Sequence, residues 1–249
     1  MHIFYTPDIL QTSELPSEEA QHCTRVLRLK EGTEILLTDG KGHFFKATIA
    51  LASPKHCKVE ILETISQPLL WQNQIHIAMA PTKNMDRNEW FAEKATEIGV
   101  NQITFLNCRY SERKEIKSER IEKILISAMK QSQKATLPQL QSMIDFNKFI
   151  TQDFAGQKFI AHCHPGEKIH LTSAYKKGEN ALILVGPEGD FSEEEVSMAI
   201  KNGFQPISLG ESRLRTETAA LMACQTIHII NLISMCPMCL CVSKKENKL

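Results

Sequence analysis

The chain has 249 residues, 42% of them hydrophobic, and its 29 Lys and Arg are balanced by 29 Asp and Glu. This hydrophobic content excludes a chain that is too polar to form a core. The start lacks the basic and then apolar pattern of a secretory signal, and no stretch approaches the ~20 apolar residues of a membrane span. We therefore expect a cytoplasmic protein with no membrane segment, whose eight cysteines stay reduced.

Residues 1–70 are predicted to form a β-rich domain. Strands are expected at 34–38, 43–51 and 58–65, with an Asp-Gly turn after the first, and one helix is expected at 17–29. Between residues 22 and 58, seven Lys or Arg stand against three acidic residues. A local excess of positive charge suits nucleic-acid binding, but solvated surface charge explains the same pattern.

Residues 71–235 show a different pattern, in which strands alternate with helices. Strands are predicted at 75–80, 102–106, 159–163, 181–185 and 206–209. Helices are predicted after Asn84 and Ser118 as caps, with Gly99 ending the first, and again at 193–202 and 217–233. This alternation predicts an α/β domain with a mostly parallel sheet, and residues 236–249 are expected to be a tail.

A glycine-containing loop follows the apolar strand at 181–185. Ser192 and Glu195 have the spacing of a capping box, and Phe191 and Val196 have that of a hydrophobic staple, so the next helix has a well-defined start. Open α/β sheets bind ligands at the carboxyl ends of their strands. Gly186 is expected to have a positive φ and to let the backbone approach a ligand. An ordinary strand-to-helix turn would explain the same glycines.

Three other classes of glycine-rich loop are excluded by the sequence. It contains no G-x-G-x-x-G dinucleotide fingerprint, no G-x-x-x-x-G-K-[ST] phosphate loop and no G-x-S-x-G nucleophile elbow.

A second segment, residues 209–220, also follows a predicted strand and leads into a helix. Arg215 and Glu217 flank the predicted helix start, with Thr216 as its expected cap. Two such loops side by side would form a composite pocket, in which an arginine could stabilise developing negative charge. A salt-bridged helix start without a ligand is the alternative.

These two segments together resemble a known family. Residues 185–192 (V-G-P-E-G-D-F-S) and 209–219 (L-G-E-S-R-L-R-T-E-T-A) are similar to the RsmE family of 16S rRNA uridine-N3 methyltransferases, in the SPOUT superfamily. Residues 94–100 (K-A-T-E-I-G-V), Gln131-Ser132 with Leu137-Pro138, and residues 22–28 (H-C-T-R-V-L-R) also match family segments. The resemblance thus extends over residues 22–220.

The resemblance implies a fold and a set of partners. Residues 1–70 would be a PUA-like β-barrel that binds RNA, and residues 71–235 a SPOUT methyltransferase domain with a C-terminal trefoil knot. The protein would bind S-adenosylmethionine, act on 16S rRNA of the small ribosomal subunit, and form a homodimer through the knot region.

The resemblance also implies site residues, with no metal among the ligands. The predicted cofactor-binding residues are Val185, Gly186, Pro187, Glu188, Gly189, Leu209, Gly210, Leu214, Thr218 and Ala219. The predicted catalytic residues are Arg215 and Glu217, and the predicted RNA-binding residues are Arg25, Arg28, Lys83 and Arg87.

The expected reaction is methylation of N3 of the uridine at the position usually numbered 1498. Arg215 would stabilise negative charge on the uracil oxygens. Two roles stay open for Glu217, which either orients Arg215 or accepts the N3 proton. Two alternative functions also stay open: a SPOUT methyltransferase acting on another RNA atom or site, and a non-catalytic PUA-like RNA-binding protein.

Some positions depart from the family pattern. Asp190 stands where a second glycine is common, residues 211–213 (E-S-R) replace P-R-I, and Lys134 replaces an arginine. A single C-x-x-C at Cys236 and Cys239, followed by Cys241, is weak support for zinc. His162-Cys163-His164 follows a predicted strand, and a loop near the cofactor is favoured there over a metal cluster.

Overall fold

The computed structural model describes residues 2–69 and 71–233, so the predicted tail and its cysteines lie outside the described residues. The chain forms two compact units. The first contains the described residues up to Gln72, with Ala92–Glu97 and Lys117–Gln139, and the second contains Asn73–Phe91, Ile98–Ile116 and the described residues from Leu140 onward. Within the described residues, no helix is long and apolar enough to cross a bilayer.

The secondary-structure elements follow the predicted order with several additions. The strands are β1 (Ile3–Tyr5), β2 (Glu34–Thr38), β3 (His43–Leu51), β4 (Lys58–Ser66), β5 (Ile75–Met79), β6 (Gln102–Asn107), β7 (Gln139–Asp145), β8 (Gln157–Ala161), β9 (Ile169–His170), β10 (Ala181–Val185) and β11 (Gln205–Ser208). The helices are α1 (Ile9–Thr12), α2 (Ser17–Gln21), α3 (Met85–Ile98), α4 (Ser118–Gln131), α5 (Phe146–Phe149), α6 (Leu171–Ala174), α7 (Glu193–Lys201) and α8 (Thr216–Ile233).

The first unit contains a mixed four-stranded sheet in the order β1-β2-β3-β4. Strand β1 pairs parallel to β2, and the other pairs are antiparallel. The predicted turn between β2 and β3 forms as expected, because Gly40 has a φ of 72° and Asp39 Oδ1 accepts the Lys41 N–H at 2.7 Å. Strand β1 was not predicted, since three residues carry too little periodicity to be recognised.

The single α-helix predicted at 17–29 is wrong in its second half. Helix α2 ends at Gln21 and a π-helical turn continues over His22–Val26, closed by the bond from Leu27 N–H to His22 O at 2.9 Å. Arg28 then takes the left-handed conformation, with a φ of 54°. The hydrophobic spacing that buries Ala20 and Cys23 fits either kind of turn, so the sequence pattern could not separate them.

The second unit is built on a seven-stranded sheet in the order β7-β6-β5-β10-β8-β11-β9. All five registered strand pairs, from β6 across to β9, are parallel. Every residue of β5 and β10 is buried, which is typical of central parallel strands covered on both faces. The predicted α/β arrangement is therefore confirmed, while the edge strands β7 and β9, polar and short respectively, were missed.

The helix boundaries were predicted with mixed success. Asn84 does cap α3, since its Oδ1 accepts the Asp86 N–H at 3.0 Å, and Gly99 follows the last helical residue with a φ of 127°. Ser118, in contrast, is the first helical residue of α4 rather than its cap. Lys117 holds the cap position in an extended conformation, so the helix begins one residue earlier than predicted.

A buried histidine in the sheet predicts how stability depends on pH. His76 is 6% exposed, its Nε2 lies 2.8 Å from Thr104 Oγ1, and burial lowers its pKa from 6.5 to about 4. The folded state therefore holds the neutral ring, and its contribution is complete above pH 6.5 and is lost as the pH falls from 6.5 towards 4. The loss should reach about 3 kcal/mol of unfolding free energy.

Urea unfolding of the wild type and of His76→Gln between pH 7.5 and 4 measures this contribution. The glutamine keeps an amide near Thr104 but does not titrate, so the stability difference between the two proteins should shrink towards pH 4. A difference that stays constant over this range would contradict the assignment.

Candidate functional site

The carboxyl ends of three neighbouring strands meet at one edge of the second unit's sheet. Strand β10 ends at Val185, β8 at Ala161 and β11 at Ser208, and Val185 pairs in register with Ala161. The loops after these strands line a cavity of about 810 Å³. This is where open α/β sheets bind ligands.

The glycine loop after β10 is rigid at its helical end. Ser192 accepts the Glu195 N–H, and the Glu195 side chain accepts the Ser192 N–H, which confirms the predicted capping box. Phe191 and Val196 are buried in the same hydrophobic cluster, as expected for a staple. The loop thus enters α7 in one defined direction.

Gly186 has a different reason to be glycine from the one predicted. Its φ is not positive, so the expectation of a left-handed backbone was wrong. A Cβ added there would lie 3.0 Å from both Cδ2 and the backbone N of Phe191. The buried Phe191 ring therefore leaves no room for a side chain at Gly186.

The second loop is joined to the first by one hydroxyl group. Thr216 is the first residue of α8 rather than its cap, and its Oγ1 donates to Gly186 O at 3.0 Å. The helix begins one residue before the predicted start because the Arg215 carbonyl already accepts the Ala219 N–H at 2.8 Å. The sequence contained no signal for this contact between residues 30 positions apart.

Gly210 in the second loop is required by backbone conformation. Its φ is 121°, and no heavy atom lies within 4 Å of the position that a Cβ would occupy. The residue therefore combines a turn that other residues rarely adopt with open space beside the backbone.

Most of the predicted cofactor residues line the cavity. Those that do are Val185, Gly186, Pro187, Glu188, Leu209, Gly210, Leu214 and Ala219, whereas Gly189 and Thr218 lie outside the lining. Thr216, inside the predicted cofactor loop at 214–219, also lines the cavity, as does Lys168, which the sequence reasoning did not include. Lys168 could have been found from its place after β8, because every loop at the carboxyl end of this sheet is a candidate wall.

Three charged side chains cluster beside the cavity. Arg87 Nη1 lies 3.7 Å from Glu188 Oε1, and Arg87 Nε lies 3.7 Å from Glu217 Oε1. Glu217 is 6% exposed, and its Oε2 is buried without a hydrogen-bond partner. The ion-pair partner of Glu217 is therefore Arg87, while Arg215 is exposed and lines the cavity.

The other predicted RNA-binding residues are solvent-exposed. Lys83 lies in the second unit and pairs with Glu112 at 2.8 Å. Arg25 and Arg28 lie in the first unit, on and just after the π-helical turn. Their side chains are thus available for a polyanion, and their role stays a prediction.

No group of three or more His, Cys, Asp or Glu side chains suited to hold a metal ion occurs within residues 2–69 and 71–233. His162 and His164 do lie close together, with ring centroids 5.6 Å apart. The C-x-x-C at Cys236 and Cys239 lies outside the described residues.

Comparison with known families assigns both parts of the chain. Residues 70–228 match an RNA methyltransferase domain, and residues 15–62 match an RNA methyltransferase PUA domain. A ribosomal RNA small subunit methyltransferase E from Mesomycoplasma hyopneumoniae is 33% identical over 68% of this chain and 75% of its own length. The chain belongs to the RsmE family.

Solved structures support this membership of the RsmE family. A probable rRNA-methyltransferase from Porphyromonas gingivalis is 45% identical, with a TM-score of 0.89 over 94% of this chain and all of the other. A ribosomal RNA small subunit methyltransferase E from Neisseria gonorrhoeae, bound to S-adenosylmethionine, is 27% identical, with a TM-score of 0.82 over 92% of this chain and 98% of the other. The resemblance inferred from the sequence is thereby confirmed.

Proposed function

We propose that this protein transfers the methyl group of S-adenosylmethionine to N3 of the 16S rRNA uridine usually numbered 1498. The observation that carries the proposal is the cavity formed by the loops after β8, β10 and β11, in a member of the RsmE family. The related Neisseria protein is bound to S-adenosylmethionine.

The residues of the cavity fit this cofactor. Its volume of about 810 Å³ is in the range of small-molecule sites. Open space lies beside the Gly210 backbone, and the buried Nδ1 of His162 in the cavity wall has no hydrogen-bond partner. We expect the loops at 185–189 and 209–219 to hold the cofactor, which when bound supplies a methyl group made electrophilic by the sulfonium.

The uridine N3 carries a proton and becomes nucleophilic only as that proton leaves. Negative charge then spreads to O2 and O4 of the uracil ring. We expect the guanidinium of Arg215, which is exposed at the cavity wall, to oppose this charge, because an arginine keeps its positive charge at physiological pH. Correct placement of the base and of Arg215 is thus the main contribution of the protein.

Of the two roles open for Glu217, proton acceptance has more support than the orientation of Arg215. Its Oε1 lies 3.7 Å from Arg87 Nε, so its ion-pair partner is Arg87 rather than Arg215, and its buried Oε2 has no hydrogen-bond partner. Replacement of Glu217 with glutamine should slow single-turnover methyl transfer, with cofactor affinity unchanged, if this carboxylate takes the proton.

We also propose a domain arrangement, a knot and a dimer for this protein. Residues 1–70 would form the PUA-like RNA-binding barrel and residues 71–235 the methyltransferase domain, knotted at its C-terminal end and dimeric in the cytoplasm. The dimer is supported by α8, on which Met222, Ile229 and Leu232 form an exposed apolar stripe at helical spacing.

Primer extension on 16S rRNA tests the function directly. A methyl group on N3 blocks Watson–Crick pairing, so reverse transcriptase should stop at the target in wild-type rRNA and read through in rRNA from a deletion strain. Mass spectrometry of nucleosides separates this activity from methylation of another atom, and no methyl transfer in vitro would favour a non-catalytic RNA-binding protein.

The purified protein is expected to bind S-adenosylmethionine without added metal. The methyl group of the sulfonium is already electrophilic, so transfer needs no Lewis acid. Calorimetry before and after treatment with a chelator should give the same affinity. Complete loss of binding on chelation would contradict this expectation.

Arg25 and Arg28 are expected to serve RNA rather than the fold. Their joint replacement with alanine should weaken rRNA binding. It should also reduce the slope of the logarithm of the binding constant against the logarithm of salt concentration by about two, since each phosphate contact contributes about one. Filter binding from 50 to 300 mM salt measures the slope, and calorimetry with S-adenosylmethionine should be unchanged. An unaltered slope would assign both residues to the solvated surface.

A further inference from the structure

We propose that Asp190 is a positioning residue, which holds the loop at residues 162–164 against the glycine loop so that His162 presents Nδ1 to bound S-adenosylmethionine. The inference rests on the proposed function, because it assigns a ligand to the same cavity. It accounts for two sequence features that the reaction itself leaves unexplained, an aspartate in place of a common glycine and two histidines after β8.

The backbone of Asp190 has an unusual conformation. Its φ is 66°, a left-handed conformation that glycine adopts freely and that other residues adopt at a cost. An aspartate at such a position must be held there by compensating contacts. The Asp190 carboxylate accepts two hydrogen bonds, one by Oδ2 from the Cys163 N–H at 2.7 Å and one by Oδ1 from the Phe191 N–H at 2.8 Å.

The loop at residues 162–164 is held at a second point. His164 Nε2 donates to the Phe191 carbonyl at 2.6 Å, and Lys168 Nζ donates to the His164 carbonyl. The backbone N–H of Cys163 and the side chain of His164 therefore hold residues 163–164 against residues 190–191. Asp190 Oδ2 accepts the backbone N–H of Cys163 and also lies 3.9 Å from His164 Nε2, so both residues that follow His162 are held beside the glycine loop. We infer that these contacts fix where the preceding residue points.

That preceding residue is His162, which lines the cavity and whose Nδ1 is buried without a hydrogen-bond partner. Burial and the nearby Lys168 lower the pKa of His162, although Asp190 opposes them, so the neutral ring is favoured. A buried polar atom without a partner is costly, and a hydrogen bond to a ligand would remove that cost. The cavity has room for such a ligand.

Calorimetric titration with S-adenosylmethionine tests the proposal with two pairs of variants. Asp190→Gly accepts the backbone conformation but removes both accepted hydrogen bonds, whereas Asp190→Asn keeps an acceptor oxygen. His162→Leu removes Nδ1, whereas His162→Asn places a polar atom near the same position. Asp153→Ala, an exposed acidic residue outside the cavity, controls for the loss of one negative charge.

Asp190→Gly and His162→Leu should each weaken the cofactor affinity about tenfold or more, as expected for the loss of one buried hydrogen bond. Asp190→Asn and His162→Asn should restore most of it, and Asp153→Ala should match the wild type. In steady-state assays the KM for the cofactor should rise while kcat stays near normal. The melting temperatures of the variants should not fall in parallel with their affinities for S-adenosylmethionine.

Equal cofactor affinity in the wild type and all four variants would overturn the inference and leave the proposed function intact. No binding by the wild type would overturn both. If Asp190→Gly does not fold, the comparison of His162→Leu with His162→Asn decides. If His162 served only the fold, both variants would have a lower melting temperature and the same affinity for S-adenosylmethionine.

Discussion

Arg215→Ala is expected to lower the single-turnover rate of methyl transfer by about 10²–10³, while cofactor affinity and melting temperature stay near normal. The charge that Arg215 opposes appears on the uracil oxygens only as N3 loses its proton. An interaction made mainly in the transition state changes the rate rather than binding. Arg215 is exposed, and Glu217 pairs with Arg87 rather than with Arg215. Both observations argue against a structural role for Arg215.

Single-turnover methylation at saturating cofactor and RNA, measured beside a thermal melt, checks this result. Arg215→Lys is the matched variant, because it keeps the charge but loses the planar fork of donors, and its rate should lie between those of the wild type and Arg215→Ala. A stable Arg215→Ala protein with a near-normal rate would remove Arg215 from the catalytic residues.

Gly186→Val is expected to weaken cofactor binding by about 10- to 100-fold while the fold survives. Its Cβ would start 3.0 Å from the Phe191 ring and backbone, and Phe191 is fully buried against Phe146. Overpacking of this kind costs about 1–3 kcal/mol, and we expect the loop to relieve it by moving into the cavity that Gly186 lines.

Circular dichroism and cofactor titration should therefore disagree for Gly186→Val, with an intact spectrum and greatly reduced binding. Gly186→Ala adds only the Cβ and should show a smaller loss, which makes the two variants a graded series. Unchanged affinity in Gly186→Val would contradict the placement of this loop at the ligand.

Local features of the fold were predictable because each is encoded within a few neighbouring residues. The capping box of α7 needs only Ser192 and Glu195, and the buried run of β10 needs only five apolar residues. The π-helical turn at His22–Val26 was not predictable, since its burial pattern is the same as that of an α-helix.

The α/β class, the two loops at 185–189 and 209–219, and the family were predictable from the sequence, because they follow from local periodicity and contiguous motifs. Which loops share a cavity, and which charged side chains meet, became known only from the folded structure. Arg87 and Glu217 are 130 positions apart, and Asp190 binds the amide of Cys163 because β10 lies beside β8 in the sheet. Such contacts depend on strand order, which arises from the packing of the whole sheet rather than from any short segment.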